Sequence, residues 1–550
     1  MKDLQSQYTA DPRKEPSALA KIFGDFLKRQ SSSCGEIIES IGTKTVAARN
    51  DGDSFITLDE QELAALKANP HLYQGNEACL VLEDNHLYLA REYRAEVNLA
   101  RAVAQQLRAP APADIPDEET IKKAFDELNV REHDTHQLAA VRNCLSSNFS
   151  IITGGPGTGK TTIIAALVAL EKERDPNIII KIAAPTGKAA ELLTQGLAAT
   201  KHPLAAQTVH RLFRARPGTG EFGINALSPL ECDLLIVDEC SMLSLDTASK
   251  IFAGLKPETR VVLSGDHRQL EAIGSGAVLC SLLCFKSDGT PGAKRLKEAG
   301  VELFANFRAR SAPVIQQLAK DIRQEALSDE EICKKIVSSS SLDYSFAEGK
   351  EFTAPVLEAV KKYWSKLPEL ASDPANVEKA FDLLKSFRVV TAARNGKEGC
   401  EALNTKILET LGIKTLHHPG SALLITENCR RTGLSNGDVG IVFEDKESEN
   451  IKVFFHNRPE PLAVYDLPPH ESAFAMTVHK AQGSGFSEVF FPLPQKETPL
   501  LTRELFYTAL TRAAKKIAIY GSSKMVLAAL GKQSSRATAL AERILTELNK

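Results

Sequence analysis

Apolar positions near the amino terminus recur at helical spacing: Leu19, Ile22, Phe23, Phe26 and Leu27, and later Leu99, Val103 and Leu107. This pattern predicts helices over residues 1 to about 108. The run Ala109-Pro110-Ala111-Pro112-Ala113-Asp114-Ile115-Pro116 then imposes extended backbone and reads as a linker, so 1–112 is expected to be a separate helical domain. Over 118–320 the pattern changes. Short unbroken apolar runs, Ile178–Ala184, Leu234–Val237 and Val261–Ser264, alternate with helical segments, as in a parallel sheet covered by helices. A second set, Phe387–Thr391, Val489–Pro492 and Lys516–Tyr520, predicts another such unit from 321–410 and 474–550. The interval 411–473 is β-like, with Ile441-Val442-Phe443, Ile451–Phe455 and the turn Ser435-Asn436-Gly437-Asp438. The fold class is therefore α/β, with two parallel-sheet units, a helical N-terminal domain and a small inserted β domain.

A length of 550 residues agrees with several domains, and 43% hydrophobic with 25% charged residues is the balance of a soluble globular chain. No apolar run is long enough to span a bilayer, which excludes a transmembrane role. Met1 to Pro16 is polar and of both charge signs, without the apolar core of a signal peptide, so a cytoplasmic location is expected. Ten cysteines form no CxxC pair; Cys280 and Cys284, the closest couple, read as core thiols of a reducing compartment, with a metal site as the alternative. A net charge of -3 gives no global basic signature for nucleic acid, although a groove needs only a local basic lining.

The chemistry begins at Gly154-Gly155-Pro156-Gly157-Thr158-Gly159-Lys160-Thr161, which follows Ile151-Ile152 and opens into the helix-prone Thr162 to Leu170. Strand, glycine-rich turn and helix are the setting of a phosphate-binding loop. Its backbone N–H groups close on phosphate oxygens and the helix N-terminus adds its dipole. Lys160 is placed to reach the β and γ phosphates of ATP, and Thr161 to hold Mg²⁺. A structural glycine turn is the alternative. Downstream, the run Leu234-Leu235-Ile236-Val237-Asp238-Glu239 ends a strand in two carboxylates, suited to Mg²⁺ (Asp238) and to activating water (Glu239). Gln269, in Ser264-Gly265-Asp266-His267-Arg268-Gln269, can donate and accept and so can sense a γ-phosphate; a plain turn is the competing reading.

Taken in order, these motifs resemble a superfamily-1 helicase, more narrowly one of the RecD type, the alpha chains of exodeoxyribonuclease V. Ala184-Pro185-Thr186-Gly187-Lys188-Ala189-Ala190 is similar to the family's motif Ia, Thr208-Val209-His210-Arg211-Leu212 to Ib and Asn306-Phe307-Arg308 to IV. Ala475 to Gly483 resembles V and Tyr507-Thr508-Ala509-Leu510-Thr511-Arg512-Ala513 resembles VI, so the likeness covers roughly 80–525. It implies two RecA-like motor domains, with the 411–473 insertion as a small barrel. It also implies that Arg308 and Arg512 face the phosphates across the cleft, surface ion pairs being the alternative. Gln137 is implied to read adenine, with Thr162 also near the nucleotide; Phe307 stacks on the base or is an ordinary core aromatic.

The DNA contacts implied are Pro185, Thr186, Lys188, Thr208, His210, Thr477, His479 and Lys480, whose donors suit phosphate oxygens and carry little sequence information; buried structural roles compete for the two histidines. One departure stands out: Gln482-Gly483-Ser484 is followed by Gly485, where many relatives carry an acidic residue. The resemblance further implies ATP-driven movement 5′ to 3′ on DNA, and a heterotrimer with a nuclease-bearing beta chain (RecB-like) and a gamma chain (RecC-like) acting on double-strand DNA ends. Residues 1–112 would dock that complex. The segment 213–232, with a turn at Pro217-Gly218-Thr219-Gly220, is a strand-separating hairpin or a surface loop. A free-standing helicase on DNA or RNA is the alternative function.

Overall fold

Helices alone do not account for the N-terminal stretch. The computed structural model describes residues 16–550 other than 76, 111, 113, 129, 131, 132, 217, 306, 308–311, 325, 350, 430, 446–449 and 457. Helices Ala18–Gln30 and Gly35–Asp51 pack together over a small antiparallel sheet ordered β1-β3-β2, where β1 is Phe55–Thr57, β2 Leu80–Glu83 and β3 His86–Leu89. This corrects the all-helical expectation. The hairpin turns on two residues, Asp84 and Asn85, with Asp84 in the left-handed region at φ 53°, a conformation that short polar side chains tolerate. Leu27, Ile38, Ile41, Leu66, Leu80 and Leu87 form its core.

The first α/β unit contains β4 (Phe149–Gly154), β5 (Ile180–Ala184), β6 (Gln207–Thr208), β7 (Leu234–Val237), β8 (Arg260–Gly265) and β9 (Gly300–Leu303). They form a parallel sheet in the order β6-β5-β7-β8-β4-β9. Every residue of β4, β7 and β8 is buried, which is why these strands read as continuous apolar runs. One face of the sheet is covered in part by helix Ala90–Arg108, whose Leu99, Ala100 and Val103 share a core with Phe149, Ile151 and Leu235. That helix lies within the expected 1–112 domain, yet its amphipathic face completes the first α/β core.

The second unit's sheet is also parallel. Its strands β10 (Tyr344–Glu348), β11 (Phe387–Thr391), β17 (Ala475–Thr477), β18 (Phe486–Pro492) and β19 (Ala513–Gly521) take the order β10-β19-β18-β11-β17. Between β11 and β17 the chain builds an antiparallel sheet from β12 (Ala422–Ile425), β13 (Val439–Asp445), β14 (Asn450–Phe455), β15 (Arg458–Ala463) and β16 (His470–Ser472), ordered β15-β14-β13-β12-β16. Among the described residues its two edge strands do not pair with each other, so the sheet is open where a closed barrel was expected.

The C-terminal segment crosses back. After helix Ser523–Leu530, Arg536 pairs with Glu271 at 2.7 Å and donates to the carbonyls of Ala272 and Gly274, both at 2.7 Å. Ala537 N–H donates to Asp53 at 2.7 Å, and its carbonyl accepts from Ser54 N–H at the same distance. The final helix, Leu540–Leu548, then seats Leu540, Ile544 and Leu545 in the core of the first unit. The expected 474–550 segment of the second unit therefore ends earlier in space than in sequence, because the final apolar stripe is complementary to helix Ala90–Arg108.

Candidate active site

β4 ends at Gly154 and the chain turns through Gly157 and Gly159, at φ 84° and 85°, before helix Lys160–Arg174 begins. Only glycine enters that region without strain. At Gly159 a Cβ would also stand 2.3 Å from Gln137 Nε2, so that amide would have to shift. Thr158 Oγ1 donates to the Gly155 carbonyl at 2.8 Å and braces the loop. Lys160 Nζ donates to Gly154 O at 2.7 Å and Gly155 O at 3.2 Å, so its ammonium lies in the mouth of the turn. Together with the first N–H groups of the helix, this makes a site for an anion. Thr161 and Thr162 sit half-buried in the first helical turn.

Gln137 is 2% exposed and does not present a free amide. It forms a capping box with Asp134 at the start of helix Thr135–Ser146, and its Nε2 donates to the Thr158 carbonyl at 3.1 Å. The residue expected to read adenine thus fixes the loop that holds phosphate. Phe307 is 37% exposed, which rules out the core reading; its N–H donates to the Gly157 carbonyl at 3.0 Å, leaving the ring beside the loop. Asn306 and Arg308 lie outside the described residues, as does Pro217.

Asp238 follows β7. Its N–H donates to the Ala183 carbonyl at 2.9 Å, and its Oδ1 accepts from Ser264 Oγ at 2.6 Å. Glu239 adopts φ 53°, a strained conformation for this residue. Burial raises the Glu239 pKa, and the neighbouring Asp238 raises it further against the pull of Lys160 and Arg512. A carboxylate in that environment is a stronger base than an exposed one.

The second unit meets this centre directly. Arg512 Nη2 donates to Gln269 Oε1 at 3.1 Å, and Gln269 Nε2 donates to Asp266 Oδ2, also at 3.1 Å. Tyr507 Oη donates to the same oxygen at 3.0 Å and stands over the loop, 2.8 Å from where a Gly155 Cβ would lie. Burial opposes the Asp266 charge, but Arg323 and Lys160 outweigh it and hold the pKa below the ordinary value. Two further bonds cross between units: Gln482 Nε2 to Leu270 O at 2.8 Å, and Leu270 N–H to Thr508 Oγ1 at 3.0 Å. A cleft of about 400 Å³ opens beside them, lined by Gly155, Thr158, Phe304, Arg323, Tyr507 and Thr511. Asp266 and Tyr507 lay inside motifs visible in the sequence, without a role attached; Arg323, on helix Pro313–Gln324, carried no sequence signal.

Of the expected DNA-contact residues, Thr186 lies where the two units adjoin, and several of the set are already engaged. Thr186 and Thr208 cap helices Gly187–Ala198 and Val209–Leu212 by accepting from Ala189 and Arg211 N–H, which leaves each hydroxyl hydrogen available. Thr477 Oγ1 likewise accepts from Lys480 N–H at 3.3 Å. Lys188 pairs with Glu191 at 2.9 Å and Lys480 with Glu471 at 2.5 Å. Burial lowers the pKa of both His210 and His479, and His210 packs edge-on against Phe222. Pro185 is half-buried. Gly483, at φ 72°, brings the two groups together, its Cβ position being 3.5 Å from Thr186 Oγ1; Gly485 faces open space. Ala215 pairs antiparallel with Phe222, so the 213–232 segment contains a short hairpin.

A family model described as an AAA domain matches residues 137–275, and one described as a UvrD-like helicase C-terminal domain matches 472–520. The RecBCD enzyme subunit RecD of Mycobacterium tuberculosis is 33% identical over 508 residues, covering 88% of this chain and 84% of that protein. The RecD subunit of Haemophilus influenzae is 30% identical, covering 84% and 80%. The ATP-dependent RecD2 DNA helicase of Deinococcus radiodurans is 29% identical over 84% of this chain and 59% of its own length. Among the described residues no helix is long and apolar enough to cross a membrane, and no group of three or more His, Cys, Asp or Glu side chains is placed to hold a metal ion.

Proposed function

Because this chain belongs to the RecD family of superfamily-1 helicases, we propose that it is an ATP-dependent helicase that moves 5′ to 3′ along single-stranded DNA. The observation that carries the reading is the buried path Arg512–Gln269–Asp266–Tyr507, which ties the end of β8 to the second α/β unit, with Tyr507 standing over the phosphate-binding loop. In this reading the loop from Gly154 to Thr162 binds the phosphates of ATP. Lys160 leaves the Gly154 and Gly155 carbonyls for the β and γ oxygens, and Glu239 takes a proton from the attacking water. Arg512, with Arg308 by resemblance, offsets charge on the transferred phosphoryl group. Gln269 exchanges partners as the γ-phosphate comes and goes, so that occupancy of one unit changes the grip of the other. Thr161 and Asp238 offer hard oxygen donors that would hold Mg²⁺, and the ion would supply neutralisation of part of the phosphate charge there.

Strand contact falls to Thr186, Lys188, Thr208 and His210 on the first unit, and to Thr477, His479 and Lys480 on the second. Their division between the two units suits alternating grip. The open antiparallel sheet is read as an inserted domain that helps hold the strand, and the 213–232 hairpin as the strand separator. Domain limits of 118–320 for the first motor, 321–410 plus 474–550 for the second, and 411–473 for the insertion fit this assignment, apart from the two helices that return to the first core. Working partners in the cytoplasm would be RecB-like and RecC-like chains, with DNA ends as substrate and residues 1–112 as the docking region.

Single-stranded-DNA-stimulated ATP hydrolysis by the wild type and by Lys160→Ala tests the motor. Stimulation in the wild type and its loss in the variant are expected; a wild type inert with every polynucleotide overturns the reading. Duplexes with 5′ or 3′ tails then test direction, and co-purification with beta and gamma chains tests assembly.

A further inference from the structure

Between Gly265, where β8 ends, and Val278 the chain forms neither helix nor strand, so no ladder of its own holds the stretch that carries Asp266 and Gln269. Its shape is set from outside. Arg536, on the segment between helices Ser523–Leu530 and Leu540–Leu548, lies across it. Its Nη2 donates to Ala272 O at 2.7 Å, and its Nη1 to Gly274 O at 2.7 Å and Gly276 O at 3.2 Å. Its Nε pairs with Glu271 at 2.7 Å, and each of these two side chains is 12% exposed, so water competes little. One planar guanidinium thus fixes the carbonyls from Ala272 to Gly276, a span that the point charge of an ammonium does not cover.

Each side of this junction is anchored. Ser534 N–H donates to Glu504 at 3.0 Å and Arg503 N–H to Lys532 O at 2.8 Å, so the segment starts from helix Arg503–Leu510, which also carries Tyr507 and Thr508. On the other side Gly52 ends the helix Gly35–Asp51 at φ 105°, where a Cβ would stand 2.5 Å from Arg536 Cζ. Gly52 O accepts from Gly276 N–H at 2.8 Å, and Glu92 accepts from Ser275 Oγ. At the near end of the stretch, Leu270 is held by Thr508 and Gln482 of the second unit.

We infer that Arg536 is a positioning residue for ATP hydrolysis: by fixing the carbonyls of Ala272, Gly274 and Gly276 it holds Gln269 where Arg512 and a γ-phosphate can reach it. The inference rests on the reading of Gln269 as the phosphate sensor. Arg536 itself acts only through the loop. Gly274 and Gly276 take φ 135° and 77°, and glycines suit many other backbone shapes equally well once the fork is lost. The same guanidinium meets the N-terminal domain at Gly52, so that domain and the sensor share one support.

Steady-state ATP hydrolysis on single-stranded DNA by full-length wild type, Arg536→Ala, Gln269→Ala and the double variant tests it. Arg536→Ala should lower kcat about 10-fold or more while KM for ATP changes less than about twofold, since the phosphate-binding loop is untouched. In the Gln269→Ala background the same substitution should cost less than about twofold more, because the residue it positions is gone. A kcat within about twofold of wild type overturns the inference. A loss of equal size in both backgrounds also overturns it, and makes Arg536 a plain structural brace. Should Arg536→Ala not fold, Arg536→Lys keeps the charge beside Glu271, loses the fork, and is read by the same criteria. A wild type without DNA-stimulated hydrolysis strikes down the helicase reading and this inference with it, whereas an active wild type with an unaffected Arg536→Ala strikes down this inference alone.

Discussion

Arg512 reaches across from the second α/β unit to Gln269 of the first, Nη2 to Oε1 at 3.1 Å, and both side chains are buried. A guanidinium placed there is already paired with the residue that would sense the γ-phosphate, so the two should act as one device. Arg512→Ala and Gln269→Ala are each expected to lower kcat for DNA-stimulated ATP hydrolysis by about 100-fold or more. The double variant should be little worse than either single, because residues in one network are not additive. Steady-state kinetics of the four proteins checks this; full additivity would show that the bond is incidental.

Lys480 is held by Glu471, which Arg394 also approaches at 3.3 Å. If Lys480 contacts a DNA phosphate, that ion pair competes with it. Glu471→Gln should therefore tighten binding to single-stranded DNA, and Lys480→Ala should weaken it and reduce the slope of log K against log salt by about 0.7. Fluorescence anisotropy titrations at several salt concentrations decide. Unchanged affinity in both variants removes Lys480 from the strand path.

Asp53 has its pKa pushed up to about 6, chiefly by burial and against the hydrogen bond from Ala537 N–H. The folded value exceeds the unfolded one, so the native state favours the neutral acid. The ionised form carries no cost below about pH 4; the cost grows through about pH 6 and reaches about 2 to 3 kcal/mol above it. Asp53→Asn keeps an acceptor for Ala537 and cannot ionise. Its denaturation midpoint should exceed that of the wild type at about pH 8 and match it at about pH 4. An advantage that does not grow with pH contradicts the assignment.

Gly159→Ala would force a side chain into φ 85° and against Gln137 Nε2. Loss of measurable ATP binding is expected, together with destabilisation of about 1 to 3 kcal/mol from the left-handed residue and the displaced amide. Calorimetric titration with ATP checks the first effect and chemical denaturation the second. Gln137→Ala should relieve the clash but not the backbone strain, so the double variant should recover stability only in part.

What was legible in the sequence was local. The run Leu234–Val237 coincides with β7, and Phe387–Thr391 with β11, because strands buried on both faces need unbroken apolar residues. The phosphate loop was legible for the same reason: strand, positive-φ glycines and helix lie within a dozen neighbouring residues. The contacts of Gln137 were not legible, because its side-chain amide accepts from Asp134 N–H and donates to the Thr158 carbonyl, partners that residue type alone does not reveal. The bridge from Tyr507 to Asp266 joins side chains 241 residues apart, and no spacing rule carries that distance. Helix Ala90–Arg108 looked like the end of one domain because periodicity shows that a face is apolar, not what covers it.

The last helix has a consequence for how the protein is made. Leu540, Ile544 and Leu545 belong to the core of a unit whose first strand begins at Phe149. On the ribosome that core lacks these three side chains until the helix Leu540–Leu548 has emerged, so the ATP-binding half stays incomplete while the second sheet is being made. Order of translation and order of completion are reversed: the unit begun earlier is completed after the strands of the later one, and loss of helix Leu540–Leu548 would leave an apolar groove along helix Ala90–Arg108 for chaperones to find.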